Sequence, residues 1–183
     1  MKMLPPNRPA WPKEKVAQIL NRMGIADPVV IFGRRGYYRD SMGSVGKNDR
    51  GIYDDAIFVY SQNAFVSFNA NTDPSQFRHG VATLLPGVHL YRKGRHGISR
   101  GPGYPALRPA TPGEALPVSR DGIASPRPGI AINIHKGGYG TTSSEGCQTI
   151  YPTQWAAFIA LVYSEMDRNG VKTIPYVLSE GQG

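Results

Sequence analysis

The clearest structural pattern lies in residues 129–150, which read Gly129-Ile-Ala-Ile-Asn-Ile-His-Lys-Gly-Gly-Tyr-Gly-Thr-Thr-Ser-Ser-Glu-Gly-Cys-Gln-Thr-Ile150. The apolar, β-branched run 129–135 predicts a strand that ends at His135. A loop of small and polar residues follows, and 147–150 predicts a second strand. Only twelve positions separate His135 from Cys147, which suits two neighbouring strands joined by a turn-back. Strand ends hold side chains rigidly, so this stretch is suited to carry a functional site.

The rest of the chain predicts short strands with one helix near each end. The apolar spacing and the flanking proline and glycine predict helices at 13–23 and 154–169, the second capped by Thr153. Residues 36–52 predict irregular structure, and the stretch 93–117, rich in glycine, proline, arginine and serine, predicts a long functional loop. Other apolar runs predict strands at 28–32, 56–60, 64–69, two short ones within 81–91, and strands at 118–121 and 172–178.

Length and composition agree with a single domain spanning 1–183, mainly β with flanking helices (α+β), in which the proline-rich residues 1–12 form an extended segment. The 183 residues include 22 glycines and 16 prolines, a surplus that favours many short elements joined by turns over a long helical bundle. No apolar run approaches the roughly 20 residues of a membrane-spanning helix. The first residues lack the apolar core of a classical secretory signal, so we expect synthesis in the cytoplasm.

The charge balance favours an anionic partner without choosing one. Lysine and arginine number 21 against 13 aspartate and glutamate residues, a formal net charge of +8. Such a surface suits nucleic acid, an acidic membrane face or an anionic cell envelope, although it also serves solubility alone. Because the basic and aromatic residues form no recognisable nucleic-acid-binding motif, we expect no specific nucleic-acid partner.

Cys147 is the only cysteine, which excludes an intrachain disulfide and a multi-cysteine zinc site. Cysteine catalysis needs a thiolate nucleophile, an imidazole that takes the thiol proton, and donors for the oxyanion. Cys147, His135 and the backbone N–H groups of Gly146 and Cys147 match these requirements. A catalytic Cys147 is then expected to react with alkylating agents below the ordinary thiol pKa of about 8.5. The alternative interpretation is a buried cysteine beside a histidine at a strand end.

The order of these features resembles the catalytic domain of the L,D-transpeptidases. The resemblance covers about residues 129–150: a strand, His-x-Gly, a glycine-containing loop, Ser/Thr-x-Gly-Cys and a second strand. It implies an L,D-transpeptidase-like β-sandwich or barrel that acts, without a cofactor, on the stem peptides of bacterial peptidoglycan through a cysteine acyl-enzyme.

Carried over position by position, the resemblance implies a role for each motif residue. Cys147 would be the nucleophile and His135 the general base, oriented by the backbone carbonyl of Lys136. Ser144 would be the hydroxyl residue of the motif, and Gly146 would form the oxyanion hole together with Cys147.

Two departures from the family pattern concern the acceptor of the acyl group. Glu145 stands where family members usually have histidine, and the spacer between His135 and Cys147 is shorter than usual.

A small basic chain without an export signal favours a hydrolase: a peptidase that cuts amide bonds next to diaminopimelate in the periplasm or cell wall, as a phage endolysin or antibacterial effector does. An L,D-transpeptidase that forms cross-links or exchanges D-amino acids, and a non-catalytic basic module that binds wall or nucleic acid, remain as alternatives. We expect a monomer.

Four further residues are predicted to contact substrate: Tyr139 and Gly138 in the motif loop, Glu145, and His96 from a separate segment. His89 and His96 invite a metal site with His135 and Cys147, but their spacing matches no zinc motif, so no metal is expected. The pair Asp54–Asp55 stands at the entry to a strand, where neighbouring side chains point to opposite faces. We therefore expect these carboxylates to cap a turn.

Overall fold

Eight strands close into a barrel that carries the candidate site at the end of two of them. The computed structural model describes residues 2–181. The barrel order is β1-β12-β5-β6-β10-β11-β3-β2, and β4-β8 and β7-β9 form two small ribbons. The elements are α1 Lys13–Arg22, β1 Val29–Arg34, β2 Asp55–Ser61, β3 Phe65–Asn71, β4 Ala82–Leu84, β5 Gly87–His96, a 3₁₀ helix Ile98–Arg100, β6 Tyr104–Pro109, β7 Ala115–Leu116, β8 Val118–Arg120, β9 Gly129–Ile130, β10 Ile134–Lys136, β11 Gln148–Ile150, α2 Pro152–Arg168 and β12 Thr173–Ser179.

The two helices cover opposite faces of the same strands. On β1, Val29 and Ile31 belong to the apolar cluster that α2 joins, whereas Val30 and Phe32 belong to the cluster that α1 joins. Alternate residues of a strand face opposite sides, so a strand covered on both sides is apolar throughout. All six residues of β1 are buried for this reason. The expected mainly β fold with two flanking helices is confirmed.

The N-terminal segment lies against the barrel. Its backbone carbonyls accept hydrogen bonds from barrel residues: Met3 from the N–H of Tyr53 at 2.9 Å and Pro9 from the hydroxyl of Ser67 at 2.5 Å. Trp11 then packs on Phe58 at a centroid separation of 6.1 Å. Among residues 2–181, no helix is both long and apolar enough to span a bilayer.

The loop predicted at 93–117 is wrong at residues 93–96 and 104–109, which form strands. There β5 continues to His96 and pairs with β6 along a register that runs from Tyr91↔Pro109 to His96↔Tyr104. Cross-strand pairing thus overrides the glycine- and proline-rich composition. The prolines of β6 are tolerated because this strand pairs with β10 only at Leu107, which leaves most of that edge without ladder partners.

Two other local predictions are corrected. The strand expected at 129–135 is broken into β9 and β10 by Ala131, whose φ is +55°; the two pieces pair with β7 and β6 respectively. Helix α2 begins at Pro152, and its N-cap is Tyr151 without a side-chain hydrogen bond, so Thr153 is not the cap. Proline suits this first helical position because it lacks the N–H that would have no partner there.

Asp54 and Asp55 are fully buried at one end of the barrel. They do accept backbone hydrogen bonds, as expected of capping groups: Asp55 from Gly36 at 2.5 Å and from Thr72 at 2.6 Å, and Asp54 from Asp49 at 2.8 Å. Burial, with the charge of Asp55 beside it, raises the pKa of Asp54 to about 9. Sequence reasoning missed the burial because it depends on how the barrel closes.

This burial predicts that the protein loses stability as pH rises from mildly acidic to alkaline values. Asp54 keeps its proton in the folded chain up to about pH 9 but releases it near pH 4 when unfolded. The stabilisation that the buried, protonated Asp54 gives to the folded state is fully present below pH 4 and is lost as pH rises toward 9. We expect the protein to unfold at a lower temperature at pH 8.5 than at pH 5. In Asp54→Asn the unfolding temperatures at these two pH values should differ less. An identical pH dependence in both proteins would contradict this assignment.

Candidate functional site

The candidate site is built on the parallel pair β10–β11. His135 lies opposite Thr149 in the register, and the carbonyl of Asn133 accepts the N–H of Gln148 at 2.9 Å, which extends the pairing by one step. Residues two apart on a strand share a face, so Cys147 lies on the same face as Thr149 and is the diagonal neighbour of His135. The predicted turn-back therefore brings these two side chains to one face of the sheet.

Both side chains line the same open cavity of about 710 Å³. Of the nine residues predicted for the site, five line it, and they come from three segments of the chain. These are His96, His135, Ser144, Glu145 and Cys147.

The thiol of Cys147 is half-buried and neutral in this structure. Its Sγ accepts the N–H of Asn133 at 3.4 Å and donates to the carbonyl of Ala131 at 3.6 Å. The left-handed backbone of Ala131 costs about 1–3 kcal/mol, and such strain is concentrated at functional sites. Burial raises the pKa of the Cys147 thiol to about 11, and the Glu145 carboxylate also opposes ionisation. An activated thiol is expected to have a lowered pKa, so the raised pKa of Cys147 is opposite to that expectation.

His135 is held in the orientation that a general base needs. Its Nδ1 lies 2.8 Å from the carbonyl oxygen of Lys136. Because a carbonyl only accepts, Nδ1 carries the proton and Nε2 is left with its lone pair. The ring is 4% exposed, and burial, together with the neighbouring charge of His96, lowers the pKa of His135 to about 4. At neutral pH the pair is therefore a neutral thiol and a neutral imidazole.

Ser144 holds the turn that carries the thiol. Its Oγ accepts the N–H of Gly146 at 3.1 Å and donates to the carbonyl of Cys147 at 2.7 Å, while its own N–H donates to Ser75 Oγ at 2.8 Å. The Gly146 N–H is thereby engaged and is not available to an oxyanion, which corrects the expected pair of donors. Within residues 2–181 the Cys147 N–H makes no such bond, so it is the free donor of the two.

Glu145 lies at the rim of the cavity. Its carboxylate pairs with the Arg78 guanidinium at 3.0 Å, and both side chains are exposed. Arg100 also lines the cavity. The rim thus presents more positive than negative charge, an arrangement that suits an anionic peptide.

Four predicted site residues lie away from the cavity lining: Gly146, Lys136, Tyr139 and Gly138. The side chain of Lys136 is exposed over the ring of Tyr104, so only its carbonyl serves the site. Tyr139 is 67% exposed and packs on Tyr151, and the Gly138 carbonyl accepts the Tyr53 hydroxyl at 2.7 Å. Neither Tyr139 nor Gly138 lines the cavity, and their contact with substrate stays a prediction.

Two residues that sequence reasoning missed contact the site. The side chain of Asn133 lies 3.1 Å from Nδ1 of His96, and the Tyr104 hydroxyl lies 3.3 Å from Nδ1 of His135. Asn133 carried a signal, since it is a polar residue two positions before His135 in an apolar strand and so shares its face. Tyr104 carried none, because its strand was hidden in the predicted loop. Among the described residues, no group of three His, Cys, Asp or Glu side chains is arranged to hold a metal ion.

Because the Cys147 thiol and the His135 imidazole are both neutral, we expect slow alkylation of Cys147 at neutral pH. With its pKa raised to about 11, the thiol is expected to react with iodoacetamide at a rate that still rises above pH 9 in the unliganded protein. The rate is measured by mass spectrometry between pH 5 and 10. A rate that levels off below pH 7 would instead indicate a preformed thiolate–imidazolium pair.

Comparison of the chain with protein-family models, curated proteins and solved structures gave no match. The function of the site therefore has to be inferred from its residues and their geometry.

Proposed function

We propose that the protein is a cysteine peptidase of bacterial peptidoglycan, with a barrel related to the L,D-transpeptidase fold, that cleaves stem-peptide amide bonds next to diaminopimelate. The carrying observation is that His135, on β10, and Cys147, one residue before the parallel strand β11, line one open cavity, with His135 Nδ1 bonded to the Lys136 carbonyl. Within residues 2–181 the His135 ring makes its hydrogen bonds through Nδ1, which leaves Nε2 available as a base in a cavity that also holds the chain's only thiol.

Acylation begins from the neutral pair. Sγ of Cys147 attacks the carbonyl carbon of the amide while the thiol proton passes to Nε2 of His135, so the C–S bond forms as the imidazolium is created. The Cys147 N–H is the backbone donor for the oxyanion. When the C–N bond breaks, His135 returns its proton to the leaving amine, and a thioester on Cys147 remains.

Deacylation uses the same residues in the reverse roles. His135 takes a proton from water as the water oxygen attacks the thioester, and it returns that proton to the departing sulfur. The products are a free carboxylate and the original thiol. Transfer of the acyl group to an amine instead of water would make the protein an L,D-transpeptidase, and this is the alternative that the experiment must separate.

The charge at the rim supports an anionic peptide substrate. Arg78 and Arg100 line the cavity beside Cys147, and guanidinium groups bind carboxylates such as those of a stem peptide. The net charge of +8 adds a general attraction to an anionic envelope. We place the action in the periplasm or cell wall, as for a phage endolysin or an antibacterial effector.

The test is mass spectrometry of purified peptidoglycan fragments, linear and cross-linked, incubated with wild type, Cys147→Ala and the surface control His79→Gln. We expect new fragments that have gained the mass of water from wild type and His79→Gln only. Exchange of D-amino acids or new cross-links would assign the protein as a transferase. Unchanged fragments with folded wild-type protein would overturn the enzymatic proposal in favour of wall or polyanion binding.

A further inference from the structure

We propose that His96 is a positioning residue for His135: its ring, stacked on the His135 imidazole and bonded to Asn133, fixes the plane in which Nε2 faces the cavity. This inference deepens the proposed function and rests on it for its catalytic meaning. The two rings are nearly parallel, at an interplanar angle of 13°, and their centroids are 3.8 Å apart. That separation is direct face-to-face contact, so the His135 ring cannot rotate without displacing His96.

The hydrogen bond with Asn133 connects His96 to both parts of the site. Asn133 Nδ2 donates to His96 Nδ1 at 3.1 Å, which leaves the His96 proton on Nε2. The backbone N–H of the same Asn133 donates to Sγ of Cys147 at 3.4 Å. A single buried residue, 6% exposed, therefore contacts the thiol through its backbone and the stacked histidine through its side chain.

The end of the β5–β6 hairpin is rigid enough to perform this positioning. His96 and Tyr104 are directly opposed across the two strands. Tyr104 approaches the edge of His135 at Nδ1, 3.3 Å away, and its ring packs against Trp155 of α2 at 6.1 Å. The hairpin thus contacts the His135 ring on one face through His96 and on one edge through Tyr104. The carbonyl of Lys136, which lies on β10 with His135, binds Nδ1.

The stacked ring also acts on the protonation of His135. The titratable or charged groups around the pair are Tyr104 and Arg108 from β6, Lys136 from β10, and Cys147 with Glu145 from the motif loop. A charge on His96 lowers the pKa of His135, and burial with Arg108 lowers the pKa of His96 itself. Removing His96 should therefore make His135 more basic, an effect that a purely structural residue would not produce.

The test is an NMR titration of the histidine rings in wild type, His96→Phe, His96→Ala and the surface control His79→Gln. His96→Phe keeps a flat ring on His135 but removes the charge and the bond to Asn133. We expect the His135 midpoint to rise by about one unit in His96→Phe and further in His96→Ala, where water can also reach the ring. In His79→Gln it should be unchanged. On peptidoglycan fragments, His96→Ala should lower kcat about ten-fold or more with little change in KM.

An unchanged His135 midpoint in both His96 variants, with native circular dichroism, would overturn the proposal. If His96→Ala does not fold, His96→Phe alone decides, since it fills the same space. The titration needs no substrate. A shifted midpoint in a protein that leaves peptidoglycan intact would therefore support the positioning role while the proposed function fails.

Discussion

Replacing Cys147 by alanine is expected to abolish fragment release from peptidoglycan, with a loss of about 10⁴-fold or more in turnover. The chain has no second thiol that could form the acyl-enzyme. Among the described residues, the half-buried Sγ makes two weak hydrogen bonds, with the Asn133 N–H and the Ala131 carbonyl, so the fold should tolerate its loss. The measurement is the initial rate of product formation by chromatography and mass spectrometry.

Cys147→Ser is the matched control for this first prediction. It keeps a hydroxyl of similar size that can bond to the Ala131 carbonyl, but an alcohol is a far weaker nucleophile than a thiol. Loss of activity in both variants, with unchanged thermal unfolding, supports the chemical role of sulfur. Activity retained in Cys147→Ala would exclude Cys147 as the nucleophile.

Replacing His135 by glutamine is expected to lower turnover by about 10²–10⁴-fold, the usual contribution of a positioned general base. The resting thiol is neutral, with a pKa raised to about 11, so attack requires a group that removes its proton. Glutamine can still donate to the Lys136 carbonyl, but it cannot take a proton at neutral pH. The variant should therefore fold and bind substrate while losing kcat.

The surface variant His79→Gln makes the same change of residue type in an exposed turn and should keep wild-type activity. The pH profile provides a second check. Because burial lowers the pKa of His135 to about 4, the base stays unprotonated, and turnover should persist, down to about pH 4–5. A wild-type profile that falls with a midpoint near 6.5 would contradict the neutral, buried base described here.

The part of the site that lies within one stretch of sequence was predictable. His135 and Cys147 are joined by a short turn-back, so strand pattern and spacing alone indicated adjacent strands. The bond from His135 Nδ1 to the Lys136 carbonyl joins neighbouring residues, and it was implied by the family resemblance. Both features join residues that are close in the sequence. The break at Ala131 and the bond from Gly146 to Ser144 are also local, but no sequence pattern indicated them.

The residues that depend on distant contacts were not predictable in the same way. His96 was expected to contact substrate, yet it stacks on His135 because the β5–β6 pairing turned a predicted loop into a hairpin. Tyr139 was also expected to contact substrate, but it packs on Tyr151 because folding brings the two rings together. None of these contacts follows from residue type or spacing.

The same limit applies to the fold. Strands β1 to β3 were indicated by their apolar runs, whereas the burial of Asp54 and Asp55 depends on barrel closure between β1 and β2. Charged residues at a strand entry usually reach water, so the type and position of Asp54 and Asp55 did not indicate their burial.

Trapping the acyl-enzyme tests directly whether Cys147 forms a covalent bond with the stem peptide. Wild-type protein is mixed with a peptidoglycan fragment that carries a diaminopimelate stem peptide, quenched in acid after increasing times, and analysed as intact protein and as peptides. We expect a transient mass increase equal to the acyl part of the fragment, located on the peptide that contains Cys147 and absent from Cys147→Ala. Fragment cleavage without any adduct on Cys147, and at the same rate in Cys147→Ala, would contradict this expectation.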